Sequence, residues 1–166
     1  MNKQGIRVIE VGPRDGLQNE KITASTAAKV EYINLLWESG LRDIEVTSFV
    51  RSDKIPQMSD GHEVFAAIKS LKKKSPTNLY CMVPNEKGFD RALASGVSDV
   101  AVFTATSEEF NKKNINASVA ESLDRIKVVC ARARKEKIKV RGYVSTVFGC
   151  PYQGKTATAD LLNIIK

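Results

Sequence analysis

Several things are scarce in these 166 residues, and each scarcity removes a class of protein. There is one histidine, His62, so no histidine cluster can hold a transition metal. The three cysteines, Cys81, Cys130 and Cys150, are odd in number and widely spaced, with neither a CxxC pair nor a disulfide framework. No stretch approaches the ~18 consecutive apolar residues of a membrane helix. Aromatic residues are few and do not interleave with basic ones, so no nucleic-acid module is visible and nucleic acid is not an expected partner. A first strand starting within a few residues of Met1 leaves no room for a signal or transit peptide. A cytoplasmic protein with no membrane association is the expectation.

What is present is a basic, soluble composition long enough to bury a core, with a formal charge of +7. The excess either attracts phosphate groups or solvates helix faces. Lys72-Lys73-Lys74 and the Arg132–Lys139 cluster fall where helices should end, complementing the carbonyl end of the dipole. Lys112-Lys113 differs, falling in an expected loop.

Along the chain, strands and helices alternate strictly. Arg7–Val11 reads as a strand stopped by Gly12-Pro13. Residues 26–39 carry Val30, Ile33, Leu36 and Trp37 at helical spacing, with Gly40 as the stop. Further strands are expected at 43–48, 78–83, 99–105 and 139–145. Helices are expected from Asp60 or Gly61 through Leu71, over 86–95 closed by Gly96, from Ser118 and from Thr158. Ser118 with Glu121 three residues on is a capping box.

Five β-α units with apolar strands mean an α/β fold with a parallel sheet. A doubly wound sheet has about this size. A (β/α)8 TIM barrel needs roughly 250 residues, so this chain would be a partial barrel of about five units. Asp160–Lys166 stops inside an amphipathic helix with no Gly, Asn or Pro after it. Residues 1–166 are therefore expected to be the N-terminal part of one barrel domain, cut within the helix after strand five.

In both architectures ligands bind at the carboxyl ends of the strands. Arg14, Asp15, Gln18 and Glu20 follow the first strand there. Glu45 is the odd member of the set, a carboxylate between Ile44 and Val46 in a strand that should be covered on both sides. It needs a cationic or metal partner. Alternation points Glu45 and Thr47 away from Ile44 and Val46, within reach of Arg14 and Asp15 next door. A structural salt bridge to Arg14 and a catalytic role are compatible readings. Asp15 beside Gly16 reads as a turn residue or as one oxygen ligand of a hard cation. His62 opens a helix and reads as structural. Cys81 and Cys130 read as core thiols, and Cys150, in the loop Gly149-Cys150-Pro151-Tyr152, as a packing residue.

The run Val11-Gly12-Pro13-Arg14-Asp15-Gly16-Leu17-Gln18-Asn19-Glu20 resembles the opening signature of the hydroxymethylglutaryl-CoA lyase family. The likeness continues through Ile44–Val50, Pro56-Gln57-Met58, Lys112–Asn116, Val140–Ser145 and Gly149–Tyr152, in order and across essentially the whole chain. It implies a TIM barrel that cleaves 3-hydroxy-3-methylglutaryl-CoA to acetyl-CoA and acetoacetate, a step of leucine degradation, with Mg²⁺ or Mn²⁺ and as a homodimer when complete. By resemblance Asp15 is a metal ligand and Arg14 stabilises the thioester enolate. Glu45 steadies both, Gln18 positions substrate, and Lys112, Lys113 and Asn114 contact the CoA portion. The family's His-x-His pair, its asparagine ligand and its catalytic cysteine belong to later strands and have no counterpart here. Cys150 does not inherit the cysteine's role, because the family has its own Gly-Cys-Pro-Tyr at this point. The fragment is expected to be inactive alone. Two alternatives remain: a metal-dependent condensing enzyme of the citramalate or isopropylmalate synthase type, and a non-catalytic fragment.

Overall fold

A computed structural model describes residues 7–166. Four strands, β1 (Asp43–Ser48), β2 (Asn78–Met82), β3 (Asp99–Ala105) and β4 (Lys139–Ser145), pair in parallel in the order β1-β2-β3-β4. A doubly wound sheet reverses its strand order at a switch point. This sheet never reverses. Each strand lies beside its predecessor, as in a barrel wall, so the partial TIM barrel is the architecture.

Among the described residues seven α-helices accompany the strands: α1 (Thr26–Glu38), α2 (Gly61–Ile68), α3 (Leu71–Lys74), α4 (Glu86–Ala94), α5 (Glu108–Ile115), α6 (Val119–Lys135) and α7 (Thr158–Ile165). The core fills the space between helices and sheet. Ile44, Val46, Leu79, Cys81, Val83, Val100 and Val102 from the strand segments meet Ile33, Val64, Phe65, Ile68, Phe89 and Val129 from the helices. At ~1.5–3 kcal/mol per fully buried large apolar side chain, this layer dominates the favourable side of folding. The opposite sheet face carries Glu45, Arg141 and Tyr143, and there the polar chemistry gathers.

Several local expectations hold for the reasons given. Gly40 and Gly96 end their helices at φ of 103° and 81°, a region in which a Cβ is strained. The α6 capping box forms in both directions, Glu121 N–H donating to Ser118 Oγ at 3.0 Å and Ser118 N–H to Glu121 Oε2 at 2.7 Å.

Others need correction. The first strand shrinks to a single bridge from Glu10 to Ile44, with Glu10 N–H on Asp43 O at 2.9 Å and Glu45 N–H on Glu10 O at 2.8 Å. The segment sits where a first strand should, but Glu10 turns its carboxylate onto Gly12 N–H at 2.6 Å and the chain leaves the ladder. The helix expected through Leu71 breaks after Ile68. The break keeps Leu71 in the core while Lys72 turns to the buried Asp99. The loop expected around Lys112 and Lys113 is helix α5, capped by Ser107 Oγ on Phe110 N–H at 3.1 Å. Its polar sequence has no apolar stripe to announce it. It is anchored instead by buried Asn111, whose amide donates to Thr104 and Ser122. Cys81 is fully buried as expected, whereas Cys130 is only partly so.

One buried ion pair had no warning in the pattern of the sequence. Lys29, on the inward side of α1 and 4% exposed, donates to Asp60 Oδ1 at 2.6 Å and to Gln57 O at 2.5 Å. Thr26 Oγ1 donates to the other Asp60 oxygen at 2.7 Å. Removing one partner leaves the other charged and largely shielded from water. Lys29→Ala should therefore lower the unfolding free energy by about 3 kcal/mol in urea. Replacing Lys29 by Met and Asp60 by Leu together should recover most of that loss.

Candidate active site

The chain leaves the Glu10 bridge through a π-helical turn, Gly12–Gly16, that carries Arg14 and Asp15. Pro13 occupies an early position, where its missing N–H costs nothing. Asp15 N–H bonds back to Val11 O at 2.7 Å, and Asp15 O accepts from Asn19 Nδ2 at 2.7 Å. Gly12 leaves room for two side-chain ends. A Cβ there would lie 2.5 Å from the Tyr32 hydroxyl and 2.8 Å from Glu10 Oε1. Single π turns of this kind are frequent at functional sites. The expectation of a simple turn at Asp15-Gly16 missed it.

The turn brings Arg14 over β1. Glu45 is fully buried, yet both of its oxygens are answered. Arg14 Nε donates to Oε1, and the Tyr143 hydroxyl donates to Oε2 at 2.5 Å. Arg14 Nη1 also reaches Asp15 Oδ1 at 2.6 Å. Arg141, two residues before Tyr143 and on the same face of β4, stacks 4.0 Å from the Tyr143 ring centroid and donates through Nη1 to the phenol oxygen. A flat sheet would hold β1 and β4 roughly 14 Å apart. A direct Tyr143–Glu45 bond therefore shows that the sheet curls around this face.

The register slips by one residue between Glu45 and Thr47, where Glu45 pairs with Tyr80 and Thr47 with Cys81. This bulge breaks the alternation expected to place Thr47 beside Glu45. Thr47 Oγ1 lies 3.9 Å from Met58 Sδ instead. Burial raises the Tyr143 pKa and the Glu45 carboxylate raises it further, against an opposing effect of Arg141. The phenol is thereby held as a neutral donor.

Asp15 presents its carboxylate to solvent with 56% of the side chain exposed and one oxygen on Arg14. A half-free hard oxygen at a strand end suits a Mg²⁺- or Mn²⁺-type ion as one donor. Among the described residues no group of three or more His, Cys, Asp and Glu side chains converges on a common point. Asp15 can thus supply one ligand of such a site.

The other sequence candidates lie apart. Gln18 follows the π turn, half-buried. Lys112, Lys113 and Asn114 are exposed on α5, and no hydrogen bond joins them to the Arg14 cluster among the described residues. Lys113 Nζ sits 3.7 Å from the Tyr152 ring centroid, so α5 and the Cys150–Gly154 turn form one rim. Cys150 is buried in that turn. Burial pushes its thiol up, and the Ser107 hydroxyl with the Gln153 and Tyr152 N–H groups outweighs this, leaving it below its ordinary value. His62 Nδ1 lies 2.8 Å from Ser95 Oγ, tying α2 to the end of α4. That is a structural link. The residues missed were Tyr143 and Arg141, quoted in the sequence only as part of a resemblance. Strand alternation alone would have placed both on the Glu45 face.

Three comparisons bear on this arrangement. A family model described as HMGL-like matches residues 5–166. The mitochondrial hydroxymethylglutaryl-CoA lyase of Pongo abelii is 47% identical over 161 residues, 97% of this chain and 49% of that protein. The cytoplasmic 3-hydroxy-3-methylglutaryl-CoA lyase of Mus musculus is 47% identical over 162 residues, 97% of this chain and 46% of its own length. The crystal structure of hydroxymethylglutaryl-CoA lyase from Pseudomonas aeruginosa superposes with a TM-score of 0.90 at 44% identity, covering 96% of this chain and 52% of that one. The chain spans about half the length of the curated relatives it matches.

The suppressed ionisation of Tyr143 is open to measurement. In an alkaline titration followed at the phenolate absorbance, Tyr143→Phe should leave unchanged the step near pH ~10, where ordinary tyrosines ionise. The folded-state pKa is the raised one, so the stability contributed by the neutral phenol is complete below pH ~10 and declines as pH rises above it. A step near pH 10 that loses amplitude in Tyr143→Phe would contradict the buried hydrogen bond.

Proposed function

Since the chain belongs to the HMGL-like family, we propose that it is the N-terminal half of a barrel that cleaves 3-hydroxy-3-methylglutaryl-CoA, the compound its relatives are named for, to acetyl-CoA and acetoacetate. The observation that carries the reading is Arg14. Its guanidinium is fixed by the buried Glu45 on one side and touches Asp15 on the other, at the end of the sheet where barrels bind ligands.

In the proposed reaction the C3 hydroxyl loses its proton and the C2–C3 bond breaks. Its electrons pass into the thioester, and the enolate takes a proton at C2. Negative charge collects on the thioester oxygen. A preorganised cation there stabilises the transition state more than the ground state, and Arg14 is held to do this. Its carboxylate partner is buried and doubly bonded, so little reorganisation is needed when the charge appears. Asp15 is proposed to hold a divalent ion, which when bound would polarise the substrate's hydroxyl and carboxylate oxygens. Gln18 follows the same turn and is proposed to position substrate. Lys112, Lys113 and Asn114 on the α5 rim are proposed to meet the CoA portion, supported by their exposed positive charge.

The condensing-enzyme alternative is not favoured, because the relatives found carry the lyase name. No helix among the described residues is long and apolar enough to cross a membrane. A cytoplasmic setting is part of the proposal, supported by three cysteines that form no disulfide.

The test is made on the protein in the form its gene encodes. With Mg²⁺ or Mn²⁺ it should release acetyl-CoA and acetoacetate from hydroxymethylglutaryl-CoA, and stop when the metal is chelated. Arg14→Gln should lower kcat by about 10²–10³. Consumption of acetyl-CoA with a 2-oxo acid, in place of its release, would overturn the reading.

A further inference from the structure

Arginine and carboxylate side chains prefer to meet fork to fork, with two parallel N–H···O bonds. Arg14 and Glu45 do not. Only Nε engages Glu45, through Oε1, and Nη1 is turned to Asp15 Oδ1 at 2.6 Å. The oxygen that Nη2, the other donor on the Nε edge, would take, Oε2, is already taken by the Tyr143 hydroxyl at 2.5 Å. Tyr143 in turn accepts from Arg141 Nη1 and carries the Arg141 guanidinium on its ring, 4.0 Å from the centroid. With that donor on its acceptor side, the phenol proton has one direction left, toward Glu45. The chain of donors runs one way, from Arg141 through Tyr143 to Glu45, and Arg14 closes it from the other end.

We propose that Tyr143 is a positioning residue for Arg14: by occupying Oε2 it stops Nη2 from closing onto Glu45 as the second bond of a fork pair and leaves that N–H for the thioester oxygen of the proposed enolate. Arg141 acts one step further back by fixing the Tyr143 hydroxyl. The assignment of a catalytic consequence rests on the lyase reading; the geometry of Arg14 does not. Burial is what makes the device work. Glu45 has no solvent to satisfy a vacated oxygen, so an unblocked Oε2 must find another donor, and Arg14 is the cation already in contact.

Two variants test this by crystal structure and by kinetics. Tyr143→Phe keeps the ring and removes only the block. Arg14 should then bond both Glu45 oxygens, with Nη2 moving onto Oε2 while Nη1 can stay on Asp15. In Glu45→Gln the amide nitrogen replaces Oε2, cannot accept from Arg14 and faces the Tyr143 oxygen, so Nε should stay on the remaining oxygen with Nη2 unengaged although the charge is gone. An account based on charge alone predicts Arg14 unmoved in Tyr143→Phe and released in Glu45→Gln. Tyr143→Phe should also lower kcat by about tenfold or more with KM changed less than about twofold, because only the arrangement used in the transition state is lost. Nη2 remaining off Glu45 in Tyr143→Phe overturns the proposal, as does release of Arg14 from residue 45 in Glu45→Gln. If Tyr143→Phe does not fold, the Glu45→Gln structure decides alone. A wild-type protein without lyase turnover counts against the lyase reading only, and the two structures still decide the positioning.

Discussion

Glu45 has no contact with solvent, and a carboxylate in that position must find its charge and its hydrogen bonds within the protein. It finds them from opposite ends of the chain. Arg14 comes from the turn before α1, on the segment bridged to β1, and Tyr143 comes from β4, ninety-eight residues beyond Glu45. Tyr143 cannot reach Glu45 unless the four strands stand side by side and the sheet curves. The ion cluster and the barrel curvature therefore depend on each other. The helix-side core supplies the bulk of the stabilisation, and the polar cluster on the other face specifies how the layers close. Removing one member of such a cluster strands the rest, so its parts are not separable contributions.

Much of the architecture was legible because it follows from local rules. Alternating apolar strands and capped helices gave the order of elements, and Ser118 with Glu121 is a complete helix-start signal in four residues. Where the sequence misled, the cause was tertiary. Helix α5 has only Phe110 and Ile115 as apolar residues and depends on Asn111 reaching Thr104 and Ser122, a contact no periodicity announces. Arg7–Val11 has good strand residues but pairs at one point only, since Glu10 spends its side chain on Gly12. Propensity could not foresee that competition.

The candidate site was legible in a different way. Glu45 stood out because a charge between Ile44 and Val46 in a covered strand demands a partner, and Arg14 proved to be that partner. Its second partner, Tyr143, was out of reach of that reasoning, because a tyrosine in a strand is ordinary until the sheet is known to curl. The β1 bulge is similar: a one-residue slip between Glu45 and Thr47 leaves no trace in composition, yet it separates two side chains that simple alternation puts together.

The central claim is that Arg14 and Tyr143 act on one another through a shared carboxylate. A double-mutant cycle on stability measures this directly, using Arg14→Gln and Tyr143→Phe singly and together, in urea. Groups in one hydrogen-bonded network couple by about 0.5–3 kcal/mol, whereas independent sites add to within about 0.5 kcal/mol. A coupling of about 1 kcal/mol or more that disappears when the cycle is repeated in Glu45→Gln is the predicted result. Additive effects, or a coupling that survives without the carboxylate, would contradict it.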